Sequence, residues 1–217
     1  KVPRVLSLIS QVAEAVVNAH ENGVVHRDLK PENIVLEQVT AEAEYAKVLD
    51  FGIAKIVEWG DIEASGKFLT PRGLVFGTPA YMSPEQVMGS EIDARTDIYA
   101  LGIIMFEMLA GAAPFERGNL VDIMEAHTRK PLPRIHDINP HADVPASVEA
   151  LIEACTRKKP ADRIQTMQEV VNRLRSLSET HGDGAENWKP GPTAKKQELG
   201  IADTVNEMQA VNVFASL

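Results

Sequence analysis

The chain has 217 residues and a net charge of −9, with 44% hydrophobic and 24% charged residues, the balance of an ordinary soluble protein. Its length allows one sizeable hydrophobic core, or one domain followed by a tail. The negative charge argues against non-specific binding to nucleic acid or to an anionic membrane surface. A single cysteine, Cys155, excludes an internal disulfide and fits a reducing compartment.

An amphipathic helix is predicted at the start of the chain, because apolar residues recur at helical spacing between residues 5 and 19. Pro3 suits the first turn, where a missing N–H is tolerated. Asn22-Gly23 suits the end, since glycine adopts the left-handed conformation easily. The first residue is Lys1 and no signal peptide precedes the helix, so we expect the natural start of the protein to lie elsewhere.

Two short buried strands, residues 34–36 and 47–49, are expected next, with a polar turn between residues 37 and 45. Residues 58–75 contain three glycines and no regular apolar spacing, which indicates a long surface loop. Loops of this length are usually functional or mobile.

A central helix is predicted from about residue 93 to residue 110. Asp93 suits its N-cap region, and Gly111 suits its end. The helix is apolar nearly all round, so we expect it to form the core of the domain. Its apolar run is far too short to span a membrane.

Three further helices are expected after the central one, joined by irregular segments. A segment with four prolines, residues 130–145, is predicted to be an irregular connection. Thr166 followed by Glu169 has the spacing of a capping box for the last helix. The three helices are predicted near residues 120–127, 148–155 and 166–177.

The end of the chain is predicted to lack a packed domain. After Ser178 the sequence becomes polar and rich in glycine and proline, which indicates a linker at residues 179–196. Apolar residues between 199 and 213 could form a weak helix, which is more typical of an exposed or docking segment than of a domain. We therefore expect residues 179–217 to be a mobile linker and tail.

One stretch carries an unusual density of chemistry: His26-Arg27-Asp28-Leu29-Lys30-Pro31-Glu32-Asn33, followed by Asp50-Phe51-Gly52. Alone, the first three residues could belong to an ordinary polar loop. Together the two motifs resemble the catalytic loop and the metal-binding triplet of protein kinases. The resemblance is to the bacterial, eukaryotic-like serine/threonine kinases, and it covers roughly residues 1–178.

The resemblance implies a phosphoryl-transfer site that works mainly by positioning and electrostatics. Asp28 would accept the proton of the substrate hydroxyl, and Lys30 would offset charge on the transferred phosphate. Thr78 would hydrogen-bond both, a pattern of serine/threonine kinases. The implied cofactors are ATP and Mg²⁺, with Mn²⁺ as an alternative. The implied cofactor-binding residues are Lys30, Asn33, Val35 under the adenine, and Asp50, and the metal ligands among them are Asn33 and Asp50.

Several other residues match positions that support this site in the family. His26 would stack with Phe51 and be tied to Asp97 through the core rather than take part in chemistry. Glu85 and Arg163 would form a buried ion pair below the site. Glu32 could read a basic residue of a peptide substrate, but an ordinary solvated acid is the alternative. The implied supporting residues are His26, Phe51, Glu85, Asp97 and Arg163.

Regulation by phosphorylation is also implied by the resemblance. Arg27, directly before Asp28, would pair with a phosphate on the long loop. Thr70 is the best acceptor in that loop, and an unmodified turn residue is its alternative reading. Many bacterial relatives carry a second threonine two residues further on, but this chain has Arg72 there.

The motifs of an upper kinase lobe do not occur in this sequence. No glycine-rich phosphate loop precedes the catalytic loop, and neither does a strand lysine or a helix glutamate. We therefore expect a mainly α fold: a kinase C-lobe with a few short strands at residues 1–178, which would be part of an α+β domain once the N-lobe is present. The partners implied are that N-lobe and Ser/Thr-bearing protein substrates.

Two functional hypotheses stay open at this stage. The first is the C-lobe of an active cytoplasmic serine/threonine kinase, whose isolated 217 residues would be inactive. The second is a non-catalytic docking or scaffold module. An aminoglycoside-type phosphotransferase is a third, weaker reading, because residues 78–85 end the loop in a manner typical of kinases with protein substrates. A membrane link elsewhere in the parent protein is left open.

Overall fold

A computed structural model describes residues 2–40, 43–50 and 79–181 of the chain. These residues form a mainly helical fold with one two-stranded antiparallel sheet, the fold class that the sequence predicted. Short 3-10 turns lie at Pro31–Asn33, Pro79–Tyr81 and Pro160–Asp162. The helices and strands, in chain order, are α1 (Val2–Glu21), β1 (Ile34–Thr40), β2 (Ala43–Val48), α2 (Pro84–Met88), α3 (Arg95–Ala110), α4 (Leu120–Arg129), α5 (Ile135–Ile138), α6 (Ala146–Cys155) and α7 (Met167–His181).

Helix α3 is the centre of the core. All but two of its residues are buried, and Gly111 ends it in the left-handed conformation with φ of 86°. Helices α1, α6 and α7 pack around it. At Gly102 an added Cβ would lie 2.7 Å from Cγ2 of Thr156 and 2.8 Å from Cβ of Cys155, so glycine permits the close approach of α3 and α6. No helix within the described ranges is long and apolar enough to cross a membrane.

The strands β1 and β2 form a longer hairpin than the sequence predicted. They pair in antiparallel register, with Ile34 opposite Val48 and Glu37 opposite Tyr45. The prediction of a turn over residues 37–45 was therefore wrong. Its polar residues reflect the exposed side of a hairpin, where Glu37 and Lys47 form a cross-strand ion pair.

Helix α1 holds the outer edge of this hairpin. The guanidinium of Arg4 donates two hydrogen bonds of 2.7 Å to the carboxylate of Glu44. The side-chain amide of Gln11 accepts from the backbone N–H of Ala46 at 2.9 Å and donates to the carbonyl of Glu44 at 3.3 Å. The end of β2, which leads to Asp50, is thus fastened to the first helix.

The carboxy-terminal elements differ in detail from the prediction. Helix α7 continues to His181, so three residues assigned to the linker form its last turn. The backbone N–H of Glu169 donates to the hydroxyl of Thr166 at 3.2 Å, while the Glu169 carboxylate pairs with Arg173. Helix α5 lies within the segment predicted to be irregular, because four residues are too few to show helical periodicity. The suggested docking helix at 199–213 lies outside the described residues.

Glu85 and Arg163 form the buried ion pair at the base of the fold. Two guanidinium nitrogens donate to the carboxylate at 2.6 and 2.5 Å, and the side chains are 3% and 0% exposed. The hydroxyl of Thr96 donates to the same carboxylate at 2.8 Å. Burial alone would raise the pKa of Glu85, but the guanidinium more than offsets this and the pKa lies below its ordinary value.

Arg163→Met should lower the free energy of unfolding by about 3–5 kcal/mol, because it leaves the Glu85 carboxylate buried without its partner. Urea denaturation followed by circular dichroism measures the change. The matched control is Arg173→Met, which removes an exposed ion pair with Glu169 and should cost less than about 1 kcal/mol. Equal losses in the two variants would contradict this view of the buried pair.

Candidate active site

The loop between α1 and β1 is held in place by Asp97, a fully buried acid in the first turn of α3. Its carboxylate accepts hydrogen bonds from the backbone N–H groups of His26 and Arg27, both at 2.8 Å. Nε2 of His20, in the last turn of α1, lies 2.7 Å from Oδ2 of Asp97. Sequence reasoning singled out Asp97 but missed His20, whose position in a polar helix end carries no distinguishing pattern.

The ring of His26 links the loop to the end of β2. Nδ1 accepts from the backbone N–H of Asp28 at 3.3 Å, so Nε2 carries the proton and donates to the carbonyl of Leu49 at 3.0 Å. The tie to Asp97 that the sequence suggested for His26 therefore runs through its backbone, while the buried ring binds elsewhere. The expected stacking on Phe51 lies outside the described residues.

Two residues of the site adopt an uncommon backbone conformation. Arg27 has φ of 64° and Asp50 has φ of 51°, and neither is a glycine. Such a conformation costs about 1–3 kcal/mol and persists only where the surrounding structure enforces it. Arg27 directly precedes Asp28, and Asp50 is itself a predicted metal ligand, so both lie where such strain usually occurs.

Asp28, Lys30 and Asn33 are brought together by the short 3-10 turn. Nζ of Lys30 lies 3.3 Å from Oδ2 of Asp28, and both side chains are about one-fifth exposed, at 20% and 17%. The amide nitrogen of Asn33 donates to the carbonyl of Asp28 at 2.8 Å. The ammonium group of Lys30 therefore interacts electrostatically with the carboxylate of Asp28, and both groups remain accessible to a substrate.

Asn33 and Asp50 lie at the open end of the hairpin, just before β1 begins and just after β2 ends. The N–H of Leu49 donates to the carbonyl of Asn33 at 2.8 Å, which places the residue before Asp50 beside Asn33. Because the amide nitrogen of Asn33 is engaged, its amide oxygen is the atom offered to a cation. This oxygen and the exposed Asp50 carboxylate suit Mg²⁺, and phosphate or water oxygens would complete the coordination. The residues present therefore fit a magnesium ion.

Val35, predicted to lie under the adenine, is half-buried on β1 opposite Lys47. Its neighbours Ile34 and Leu36 line a small apolar pocket. Helices α1 and α3 provide the rest of the lining. Thr70 and Thr78 lie outside the described residues.

Tyr81 and Glu107 form a half-buried pair that sequence reasoning missed. The tyrosine hydroxyl donates to the carboxylate at 2.7 Å. Burial raises the pKa of Tyr81, and the hydrogen bond and charge of Glu107 raise it further. Burial also raises the pKa of Glu107 against the effect of that hydrogen bond, and the charges of Glu116 and Glu32 add to the rise. The charges of Glu32 and Glu116 therefore act on this pair near the carboxy-terminal end of α3.

Comparison with known proteins gives a consistent result. Residues 3–174, most of the chain, match the family model described as protein kinase domain. The chain is 45% identical over 160 residues to serine/threonine-protein kinase pkn3 of Myxococcus xanthus, covering 74% of this chain and 29% of the relative. It is 38% identical over 199 residues to serine/threonine-protein kinase Pkn1 of the same organism, covering 91% and 28%.

A third relative is serine/threonine-protein kinase PknB of Mycobacterium tuberculosis. It is 36% identical to the chain over 168 residues, which are 77% of this chain and 25% of the relative. The chain thus spans less than a third of the length of these curated relatives.

Asp97→Asn should release the loop from α3, because the new amide group would face a backbone N–H that needs an acceptor. An unsatisfied buried donor costs about 1–3 kcal/mol. Hydrogen exchange measured by mass spectrometry should show faster exchange at residues 26–28. Asp93→Asn is the control, since the half-exposed Asp93 bonds Arg95 and not the loop. Unchanged loop exchange in Asp97→Asn would contradict the assignment.

Proposed function

The chain belongs to the protein kinase family, and on that premise we propose that it forms the C-lobe of a bacterial serine/threonine kinase. In this proposal the parent enzyme transfers the γ-phosphate of ATP to serine and threonine hydroxyls of proteins. The observation that carries the proposal is the grouping of Asp28, Lys30 and Asn33 in one turn, with Asp50 following Leu49, which bonds Asn33.

Each residue of this group has a distinct role in the proposed reaction. Asp28 orients the attacking hydroxyl and accepts its proton, which demands an accessible carboxylate. Lys30 offsets negative charge that develops near that hydroxyl. Asn33 and Asp50 would hold Mg²⁺, and bound ATP would supply the phosphoryl group. Val35 contributes an apolar surface for the adenine.

We further propose that the 217 residues alone do not catalyse transfer. The proposed C-lobe contributes the hydroxyl-binding and metal-binding half of the site, and a second lobe preceding Lys1 would hold the nucleotide phosphates and the adenine edge. The 217 residues contain no glycine-rich phosphate loop of the Gly-x-Gly-x-x-Gly type, which supports this division. A supply of ATP and protein substrates fits a cytoplasmic location for the site.

The proposed regulation is phosphorylation of Thr70, read by Arg27. Nε of Arg27 is buried and has no hydrogen-bond partner among the described residues. Its backbone is held by Asp97 in a strained conformation next to Asp28. A phosphate on Thr70 would supply strong acceptors to this guanidinium and would order the loop beside the catalytic residue. Thr78 would then be positioned to bond Asp28 and Lys30.

A docking or scaffold role is the second candidate, and one observation favours it. Ile34 and Leu36 are only partly buried at the edge of the apolar pocket beside β1. Apolar side chains that stay partly exposed can mark a place where another polypeptide packs. A scaffold, however, would have no chemical need for Asp28, Lys30, Asn33 and Asp50 together, so the enzyme is the better-supported function.

Asp28→Asn in the full-length kinase should reduce kcat by about 10²–10⁴-fold, because the hydroxyl loses its proton acceptor. Transfer of ³²P from ATP to a protein substrate measures the change. Asp143→Asn, which alters an exposed acid, is the control and should leave kcat unchanged. The separate 217-residue chain should transfer no phosphate, and measurable transfer by it would overturn the proposed division of the site.

Thr70→Ala should prevent activation by autophosphorylation, whereas a chain phosphorylated at Thr70 should be the more active form. Phosphopeptide mapping, followed by activity before and after phosphatase treatment, tests this. The Arg27→Met variant should carry phosphate at Thr70 but gain little activity from it. Full activation of Arg27→Met by phosphorylation would refute the proposed reading of the phosphate.

A further inference from the structure

Gln86 is the third residue of helix α2. Its side-chain amide makes two hydrogen bonds. Its oxygen accepts from the backbone N–H of Ser83 at 3.0 Å, completing a capping box for α2. Its nitrogen donates to the backbone carbonyl of Arg27 at 2.7 Å. Since one partner is an N–H and the other a carbonyl, only one orientation of the amide satisfies both.

The second bond reaches the peptide group that joins Arg27 to Asp28. This group is planar, so the direction of its carbonyl also sets the direction of its N–H. Gln86 holds the carbonyl, and the ring of His26 accepts from the N–H at 3.3 Å. The peptide immediately before Asp28 is therefore held from both sides.

The preceding peptide group is held as well, by Asp97. Its carboxylate accepts from the N–H of Arg27 at 2.8 Å, so backbone groups on both sides of the Arg27 Cα carbon have fixed partners. This accounts for the persistence of φ at 64°, a conformation that a non-glycine residue keeps only under external constraint. Gln86 is 4% exposed, so water does not compete for its bonds.

We infer that Gln86 is a positioning residue for Asp28, because its side chain joins α2 to the catalytic loop. The inference rests on the proposed kinase function only for its effect on turnover. Its neighbour Glu85 forms the buried pair with Arg163, so the side chain that reaches Arg27 projects from a firmly anchored helix. Disturbance of α2 would be transmitted to the peptide before Asp28.

Hydrogen exchange on the 217-residue chain tests the inference without any catalysis. Gln86→Met removes both bonds with a side chain of similar size, and Gln86→Glu replaces the donor while keeping an acceptor for Ser83. Both variants should accelerate exchange at Arg27 and Asp28 by about tenfold, the effect of one lost hydrogen bond. Residues 98–106 of α3 should keep their protection, which shows that the fold is intact.

Ser83→Ala is the matched control, because it removes the hydroxyl that accepts from the N–H of Gln86 at 3.3 Å and leaves the amide contact with Arg27 in place. It should accelerate exchange within residues 84–88 and leave Arg27 and Asp28 unchanged. Unaltered loop exchange in both Gln86 variants, or equal acceleration in Ser83→Ala, would overturn the inference.

Steady-state kinetics of the full-length kinase provide a second test of the inference. Gln86→Met should lower kcat by about tenfold and leave the KM for ATP within about twofold, because only the orientation of Asp28 is disturbed. A raised KM for ATP with unchanged kcat would argue against the positioning role. A wild-type enzyme that transfers no phosphate would refute the proposed function, while the exchange result would still decide whether Gln86 fixes the loop.

Discussion

The carboxylate of Asp97, in the first turn of the buried helix α3, has no access to water. It accepts hydrogen bonds from two successive backbone N–H groups of the loop, those of His26 and Arg27. Breaking these bonds would cost free energy, because it would leave a buried acceptor and two backbone donors without partners. The loop that carries Asp28 is therefore attached to the part of the fold least able to move. Since α3 is surrounded by α1, α6 and α7, the position of the loop depends on the packing of the whole core.

The remaining contacts of the site extend this arrangement to the other elements. The ring of His26 connects the loop to Leu49, and Gln86 connects it to α2. The hairpin whose second strand ends just before Leu49 is itself fastened to α1 through Arg4 and Gln11. Two short strands would be only marginally stable alone, so the hairpin depends on its packing against helix α1. The backbone strain at Arg27 and Asp50 is enforced by these surroundings.

Much of the fold could be predicted from the sequence where a long periodic pattern exists. Helix α1 follows from apolar spacing and α3 from a long apolar run, and Gly23 and Gly111 mark the ends with positive φ. Helix α5 escaped prediction because four residues carry no period. The hairpin was underestimated because its exposed polar residues have the composition of a turn, although Glu37 and Lys47 pair across strands.

The residues of the site also fall into those that the sequence reveals and those that only the structure reveals. Asp28, Lys30, Asn33 and Asp50 belong to short motifs whose spacing can be read directly. His20, Gln86 and Glu107 could not be found, because their partners lie 77, 59 and 26 residues away in the chain. Their roles arise from proximity in the folded core, and an ordinary histidine, glutamine or glutamate has no local pattern that reveals it.

The side chain of Gln11 has a consequence beyond holding the hairpin. It occupies the carbonyl of Glu44 and the N–H of Ala46, the groups along the outer edge of β2 with which an added strand would pair. An edge strand with open backbone groups is a template for intermolecular β-sheet, and proteins commonly blunt such edges. Gln11 bonds these groups as a neighbouring strand would, so they are not available to a strand from another molecule.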